Sequence, residues 1–411
     1  MFGRKKDSTS AQATQTLGLY LHIPFCRSKC DYCDFYSLAG KEDRMDQYQK
    51  ALLAHLREAA PSARGYVVDT VYFGGGTPSY YGAKRISELL AAIKKLYALE
   101  DTAEITMEAN PDSVDGKSLK RLRRAGVNRL SMGMQSADPE ELRQLHRPHT
   151  ADQVARAVEA ARRAKFQNLS LDLIYGLPGQ TRQSWQHTLD QALALKPDHL
   201  SCYGLKVEEG TPLARRVEAG LTLPDDDMQA DLYLWTVDRL REAGYPQYEI
   251  SNFARPGRAS RHNLRYWLLS PYIGFGPGAH SDFGGSRYSI TRDLEGYMRG
   301  VLEGGSIIDS CEEIPQRERS SEYLMLGLRT ARGIDGWEYQ KRYLMEFGPL
   351  EQRLEQFRDQ GWAEQSHDGR WRLTPKGFLV SNQLIGDLLE RQEQLDYREL
   401  LARARAGEGR P

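Results

Sequence analysis

The sequence of 411 residues is long enough for two or three domains at ~150 residues each, or for one large barrel with an appendage. Apolar residues make up 40% of it, enough for a sizeable core, and 56 basic side chains are matched by 56 acidic ones. This zero net charge excludes a protein built for bulk binding to nucleic acid or anionic membrane, and no apolar run reaches the ~18 residues of a membrane span.

In chain order, residues 1–16 are basic and then polar with no apolar stretch between, and read as a disordered tail rather than a signal peptide. Strand patterns follow at 17–23, 67–73, 103–108, 127–135, 168–175 and 199–205. Between and after them, apolar residues recur every three or four positions at 43–60, 83–97, 116–125, 151–165, 181–195 and 226–243, as in amphipathic helices. This alternation predicts an α/β core with a parallel sheet over residues 17–245, either doubly wound or an incomplete barrel.

The placement of unusual residues favours the barrel. Cys26–Cys33 follow the first strand and Gly74-Gly-Gly-Thr-Pro78 the second, Glu108 and Gln135 end the third and fourth, and Asp172 lies on the fifth. A partial (β/α)6 barrel gathers such groups at the C-terminal ends of its strands, whereas a doubly wound sheet concentrates them at one switch point. Past residue 245 the alternation stops, and residues 246–307 read as an irregular connecting segment rich in aromatics and glycine. Residues 308–411 read as a helical, winged-helix-like domain, with a hairpin at 362–366 and 370–373 and a helix capped by Thr374-Pro375. Arg370, Arg372 and Lys376 lie near this wing, but acidic neighbours and the neutral chain argue against a nucleic-acid partner.

Three of the five cysteines, Cys26, Cys30 and Cys33, fall within eight residues in the spacing C-x3-C-x2-C. Such a cluster in a reducing compartment points to metal chemistry rather than a disulfide framework, and the chain reads as cytoplasmic. A structural zinc site wants four ligands; His22 is the nearest fourth, but it lies on the strand side and no second cysteine pair exists. An iron–sulfur cube normally takes four thiolates, so three leave one iron open to a small molecule. Cys202 and Cys311 are isolated and are expected to be buried apolar fillers.

The cysteine spacing, with Tyr32 inside it, resembles the radical S-adenosylmethionine (SAM) superfamily. The resemblance runs from Leu19 to about Leu389 and is closest to the branch of oxygen-independent coproporphyrinogen III oxidases and haem chaperones (HemN/HemW). It implies a [4Fe-4S] cluster on Cys26, Cys30 and Cys33 whose open iron binds SAM, with reductive cleavage to a 5′-deoxyadenosyl radical where the enzyme chemistry operates. It further implies SAM contacts by Tyr20, by the backbone of Gly75, Gly76 and Thr77, and by Glu108, Gln135, Arg147 and Asp172. The oxidase pattern continues with a cysteine two residues after the third; here that position is Phe35, and the oxidase's longer N-terminal arm is missing as well. His262-Asn-Leu-Arg-Tyr-Trp267 looks instead like the chaperone branch's H-N-x-x-Y-W motif, which implies haem as cargo with His262 as its ligand. Neutral imidazole is a common axial ligand, and His280 and Cys202 are the other candidates. The bland reading is that His262 and Asn263 hydrogen-bond a loop while Trp267 packs. The implied partners are a haem-acceptor protein and a reductant, with membrane contact only where the acceptor is membrane-bound.

Overall fold

The computed structural model describes residues 15–394. Of the expected tail only Gln15 and Thr16 fall within it, where they open the first strand; residues 395–411 of the C-terminal part lie outside it.

Six strands lie side by side in sequence order and all parallel: β1 (Gln15–Ile23), β2 (Tyr66–Gly75), β3 (Leu99–Ala109), β4 (Arg129–Gln135), β5 (Asn168–Tyr175) and β6 (His199–Gly204). A helix follows each of them, from Met45–Ala59 after β1 to Asp226–Glu242 after β6. Within these six strands the order never reverses, so they hold no switch point, and the fold is the expected partial barrel. Three of the helices start on reciprocal caps, Asp115 with Ser118, Thr150 with Gln153 and Thr181 with Ser184, which satisfy backbone N–H groups that have no partner inside the helix.

Period-two alternation sorts each strand. Leu17, Leu19, Leu21 and Ile23 of β1, Ile105 and Met107 of β3, and Leu130, Met132 and Met134 of β4 are buried in the core that packs the helices onto the sheet. The alternate positions are polar: Tyr20 and His22, Thr70 and Tyr72, Glu104, Thr106 and Glu108, Arg129 and Ser131, Ser170 and Asp172, His199 and Ser201. The inner wall of the barrel is therefore built of groups that need partners, which is where a ligand site belongs.

The segment 246–307, expected to be irregular, instead extends both ends of the sheet. β7 (Gln247–Glu249) and β8 (Asn252–Ala254) continue antiparallel from β6. β9 (Tyr272–Phe275) pairs parallel with β1, Leu19 opposite Ile273, and β10 (His280–Phe283) and β11 (Ser286–Ile290) follow antiparallel. Strands this short carry no readable period, and their partners lie far away in sequence. Ile308–Glu313, expected to open the C-terminal module, is likewise a strand (β12) at the sheet edge. It is exposed throughout, so Cys311 is exposed, contrary to the expectation of a buried filler; Cys202, on β6, is buried.

The helices Gln316–Gly327, Gly336–Tyr343 and Gly348–Asp359 then lead into the hairpin Ala363–Gln365/Trp371–Leu373 and the helix Pro375–Leu379, whose Thr374 cap accepts the Gly377 N–H. Near the wing, Arg370 pairs with Glu338 (3.3 Å) and Arg372 with Glu364 (2.9 Å). Among the described residues no helix is long and apolar enough to cross a membrane.

Candidate functional site

The loop after β1 carries the three cysteines, and several independent contacts fix its path. Gly76 donates its N–H to the Ile23 carbonyl (2.8 Å) and Thr77 to that of Phe25 (2.9 Å), which sews the loop to the end of β2. The Phe25 ring stacks on Tyr81 at 5.5 Å. Farther on, the Asp31 carboxylate accepts from Arg216 (3.0 Å) and faces His146 Nδ1 (2.8 Å). Arg147 donates from Nη2 to the Tyr32 hydroxyl (2.6 Å) and from Nη1 to Asn110 Oδ1 (3.2 Å).

All three cysteines line one cavity of about 540 Å³ at the C-terminal ends of the strands, a volume ordinary for a small-molecule site. Gly75, Gly76, Thr77, Glu108, Gln135, Arg147 and Asp172 line the same cavity, so the structure brings together ten of the twelve residues singled out in the sequence. Among the described residues no group of His, Cys, Asp or Glu is already arranged to hold a single metal ion. An iron–sulfur cube makes a different demand: each thiolate binds a different iron, so its cysteines surround a volume instead of meeting at a point. Three free thiols on one loop around a shared cavity suit that geometry. Burial pushes the thiols of Cys26 and Cys30 up; the Thr77 hydroxyl, 3.3 Å from Cys26 Sγ, and the Arg147 guanidinium near Cys30 act in the opposite sense. His22 is no fourth ligand. Its Nε2 meets the Tyr36 carbonyl (2.7 Å), its Nδ1 meets the Tyr20 hydroxyl (3.1 Å), and burial lowers it to about 4.

The carboxylates are held by the wall itself. Asp172 accepts Ser201 (2.7 Å) and Ser170 (3.2 Å) on Oδ1 and Ser131 (3.1 Å) on both oxygens, so three neighbouring strands each give it a hydroxyl. That leaves Oδ2 with the greater spare capacity for a ligand hydroxyl or ammonium. Glu108 accepts the Tyr72 hydroxyl on Oε1 (2.8 Å) and the Gly75 N–H on Oε2 (3.2 Å). Gly75 needs φ 107°, and a Cβ there would stand 2.5 Å from the His22 ring, so only glycine fits. The N–H groups of Gly76 and Thr77 are committed to the cysteine loop, and the Thr77 carbonyl receives the N–H groups of Tyr80 (2.9 Å) and Tyr81 (3.2 Å). Gln135 ends β4 at φ 62°, a left-handed conformation that costs a residue with a Cβ about 1–2 kcal/mol and holds it at the cavity wall.

Burial raises Glu108 to about 7, from 4.5 for a free carboxyl. The folded chain therefore keeps a proton that the unfolded chain has released, and stability falls as pH rises from about 4.5 to about 7. Glu108→Gln should flatten part of that fall: the melting temperature of the cofactor-free variant, relative to wild type, rises between pH 5 and pH 8. Parallel melting curves for the two proteins would contradict it.

Two singled-out residues are not at the cavity. Tyr20 sits behind it, stacked on the cavity-lining Tyr72 (6.1 Å between centroids) and on His262 (6.4 Å). His262 is fully buried on the helix Arg261–Trp267, whose first N–H groups are received by Glu104. Its Nδ1 meets the Thr70 hydroxyl (2.9 Å) and its Nε2 the Tyr266 hydroxyl (2.9 Å), and burial lowers it to about 3. As folded, His262 has no free nitrogen for an iron, and its neighbour Asn263 lines the cavity instead. Sequence reasoning also passed over Tyr72, Arg129, Ser131 and Ser201. Their signal was a polar residue at every second position of a buried parallel strand.

Residues 20–192 match the family model of the radical SAM superfamily, and residues 314–380 match that of the HemN C-terminal domain. The protein named heme chaperone HemW in Bacillus subtilis (strain 168) is 34% identical over 90% of this chain and 98% of its own. The one of that name in Mycobacterium tuberculosis (strain ATCC 25618 / H37Rv) is 37% identical over 91% and 95%. Among solved structures, the coproporphyrinogen III oxidase HemN from Escherichia coli, described as a radical SAM enzyme, superposes with a TM-score of 0.80 at 25% identity, over 92% of this chain and 91% of that one. The chain belongs to the HemW family within the radical SAM superfamily.

Proposed function

We propose that this protein is a cytoplasmic haem chaperone, which binds haem and a SAM-coordinated [4Fe-4S] cluster and passes the haem to an acceptor protein. The observation that carries this reading is the match, over 90% and 91% of the chain, to proteins named heme chaperone HemW at 34% and 37% identity, against 25% to the oxidase. In this reading Cys26, Cys30 and Cys33 hold the cluster, and Glu108, Gln135, Arg147 and Asp172 hold SAM beside it. When bound, the cluster supplies an electron and an iron with an open coordination position. The residues of the chain do the positioning. Arg147 fixes Tyr32 in the middle of the cysteine loop, the turn at Gly75–Thr77 ties that loop to β2, and the three serines hold Asp172 in one orientation. His262 ligation of haem is not part of this reading, because both its nitrogens are bonded inside the fold. The domain limits proposed are a SAM core from Gln15 to 245, a segment over 246–313 that extends its sheet, and a C-terminal module from 314. No nucleic acid takes part, and a reductant for the cluster does.

The second reading, a SAM-dependent oxidase that decarboxylates coproporphyrinogen III, is favoured by the TM-score of 0.80 to the oxidase. Phe35 argues against it. It stands where the oxidase pattern has cysteine, and it is 64% exposed at the cavity. Anaerobic incubation of the reconstituted protein with coproporphyrinogen III, SAM and a reductant should yield no protoporphyrinogen. Its formation at a catalytic rate would establish the oxidase in place of the chaperone.

A further inference from the structure

Arg129 opens β4 on the cavity side and is 1% exposed, yet its Nε and Nη1 find no hydrogen-bond acceptor in the protein. Glu104 and Asp172 act on its charge through space, while their hydrogen bonds are made elsewhere. Glu104 receives the N–H groups of Arg261 and His262, each at 3.1 Å, and Asp172 receives its three serines. Thr106, directly across the β3–β4 ladder from Arg129, is also fully buried with its hydroxyl unpartnered. Arg129 lines the cavity and Thr106 lies behind it in the wall, so the barrel holds donors at this depth that the protein itself does not complete. Glu104, Tyr72, Tyr248 and Asp172 favour the charge through space, but the two donors themselves lack acceptors, and a ligand carboxylate can supply them. The planar fork of a guanidinium matches the two oxygens of a carboxylate.

Depth narrows the choice of carboxylate. Arg129 and Gln135 stand at opposite ends of β4, about 20 Å apart at ~3.3 Å per residue, and the cysteine loop lies at the Gln135 end. A molecule whose amino and carboxylate groups sit at that loop cannot also place that carboxylate on Arg129. A porphyrin reaching in from the mouth, propionate first, can.

We propose that Arg129 is a cargo-anchoring residue that receives a propionate carboxylate of haem at the floor of the barrel. This rests on the haem-chaperone reading. The test uses the full chain, anaerobically reconstituted, as wild type, Arg129→Met and Arg129→Lys. Haem and haem dimethyl ester are titrated by absorbance, and SAM by equilibrium dialysis. Wild type should bind the dimethyl ester roughly tenfold or more weakly than haem, a comparison that needs no variant. Arg129→Met should lose haem affinity by a similar factor while binding the ester like wild type, and Arg129→Lys should fall between. Arg129→Lys should keep SAM binding and the melting temperature, since it keeps the positive charge that acts on Glu108 and Asp172, whereas Arg129→Met removes that charge and should melt earlier. Equal binding of haem and ester by wild type and Arg129→Met would overturn the proposal and leave Arg129 as an internal structural charge. Loss of SAM with haem retained would overturn it in favour of a SAM carboxylate. Failure of wild type to bind haem at all would instead remove the chaperone reading, and the proposal with it.

Discussion

Cys30→Ser yields a folded protein that cannot be loaded with iron and sulfide. The serine hydroxyl keeps its proton at neutral pH and is a poor ligand for a soft iron–sulfur cluster, so one of only three anchors is lost. The loop itself persists, because Asp31 and Tyr32 are held by Arg216 and Arg147 independently of the Cys30 sulfur. Anaerobic reconstitution followed by iron analysis should fall from about four irons per chain to near zero, with the melting curve of the unloaded protein unchanged. The same holds for Cys26 and Cys33, whereas Cys202→Ser and Cys311→Ala should load fully. Retention of a full iron complement in the Cys30 variant would remove the cysteine triad from the account.

Gly76→Ala should damage the same site without touching a sulfur. A Cβ at residue 76 would lie 2.8 Å from the Ile23 carbonyl oxygen and 2.9 Å from that of Phe25, both backbone atoms of the cysteine loop. Neither is the free end of a side chain, so the loop must move. The two hydrogen bonds that sew it to β2, from Gly76 and Thr77, then stretch. Overpacking of this kind costs about 1–3 kcal/mol, and Cys26, next to Phe25, moves with it. The variant should melt earlier and load less iron. Gly386→Ala is the control. It lies inside the helix Ser381–Glu393 with nothing within 4 Å of its would-be Cβ, and it should raise stability by about 0.5–1 kcal/mol. If Gly76→Ala melts and loads like wild type, the turn at 75–77 is not what positions the cysteines.

What was legible in the sequence was local or periodic. The cysteine spacing needs only eight residues, and each of the helices 83–97, 116–125 and 151–165 appears close to its expected limits because its apolar stripe repeats over several turns. The strand-end groups were legible because a barrel puts loops there. What escaped depends on distant pairing. Nothing local says that Tyr272 lies beside Gly18, so from sequence β9 looks like part of an irregular segment. His262 illustrates the same limit at a single side chain. Its motif suggested an available imidazole, but the hydroxyl that occupies its Nδ1 comes from Thr70, 192 residues earlier. Arg129 was hidden differently. Inside a strand whose every residue is buried, a lone arginine looks like part of the hydrophobic run's edge until the inner and outer faces are separated.

Haem transfer tests the central claim most directly. The anaerobically reconstituted chain is loaded with haem, freed of excess, and mixed with a haem-free acceptor from the same cell, with and without reduced cluster and SAM. The account predicts saturable haem binding by the loaded chain, and transfer that depends on the cluster and is lost in Cys30→Ser. Absence of haem binding by the cluster-loaded protein, or transfer that proceeds equally well without the cluster, would contradict it.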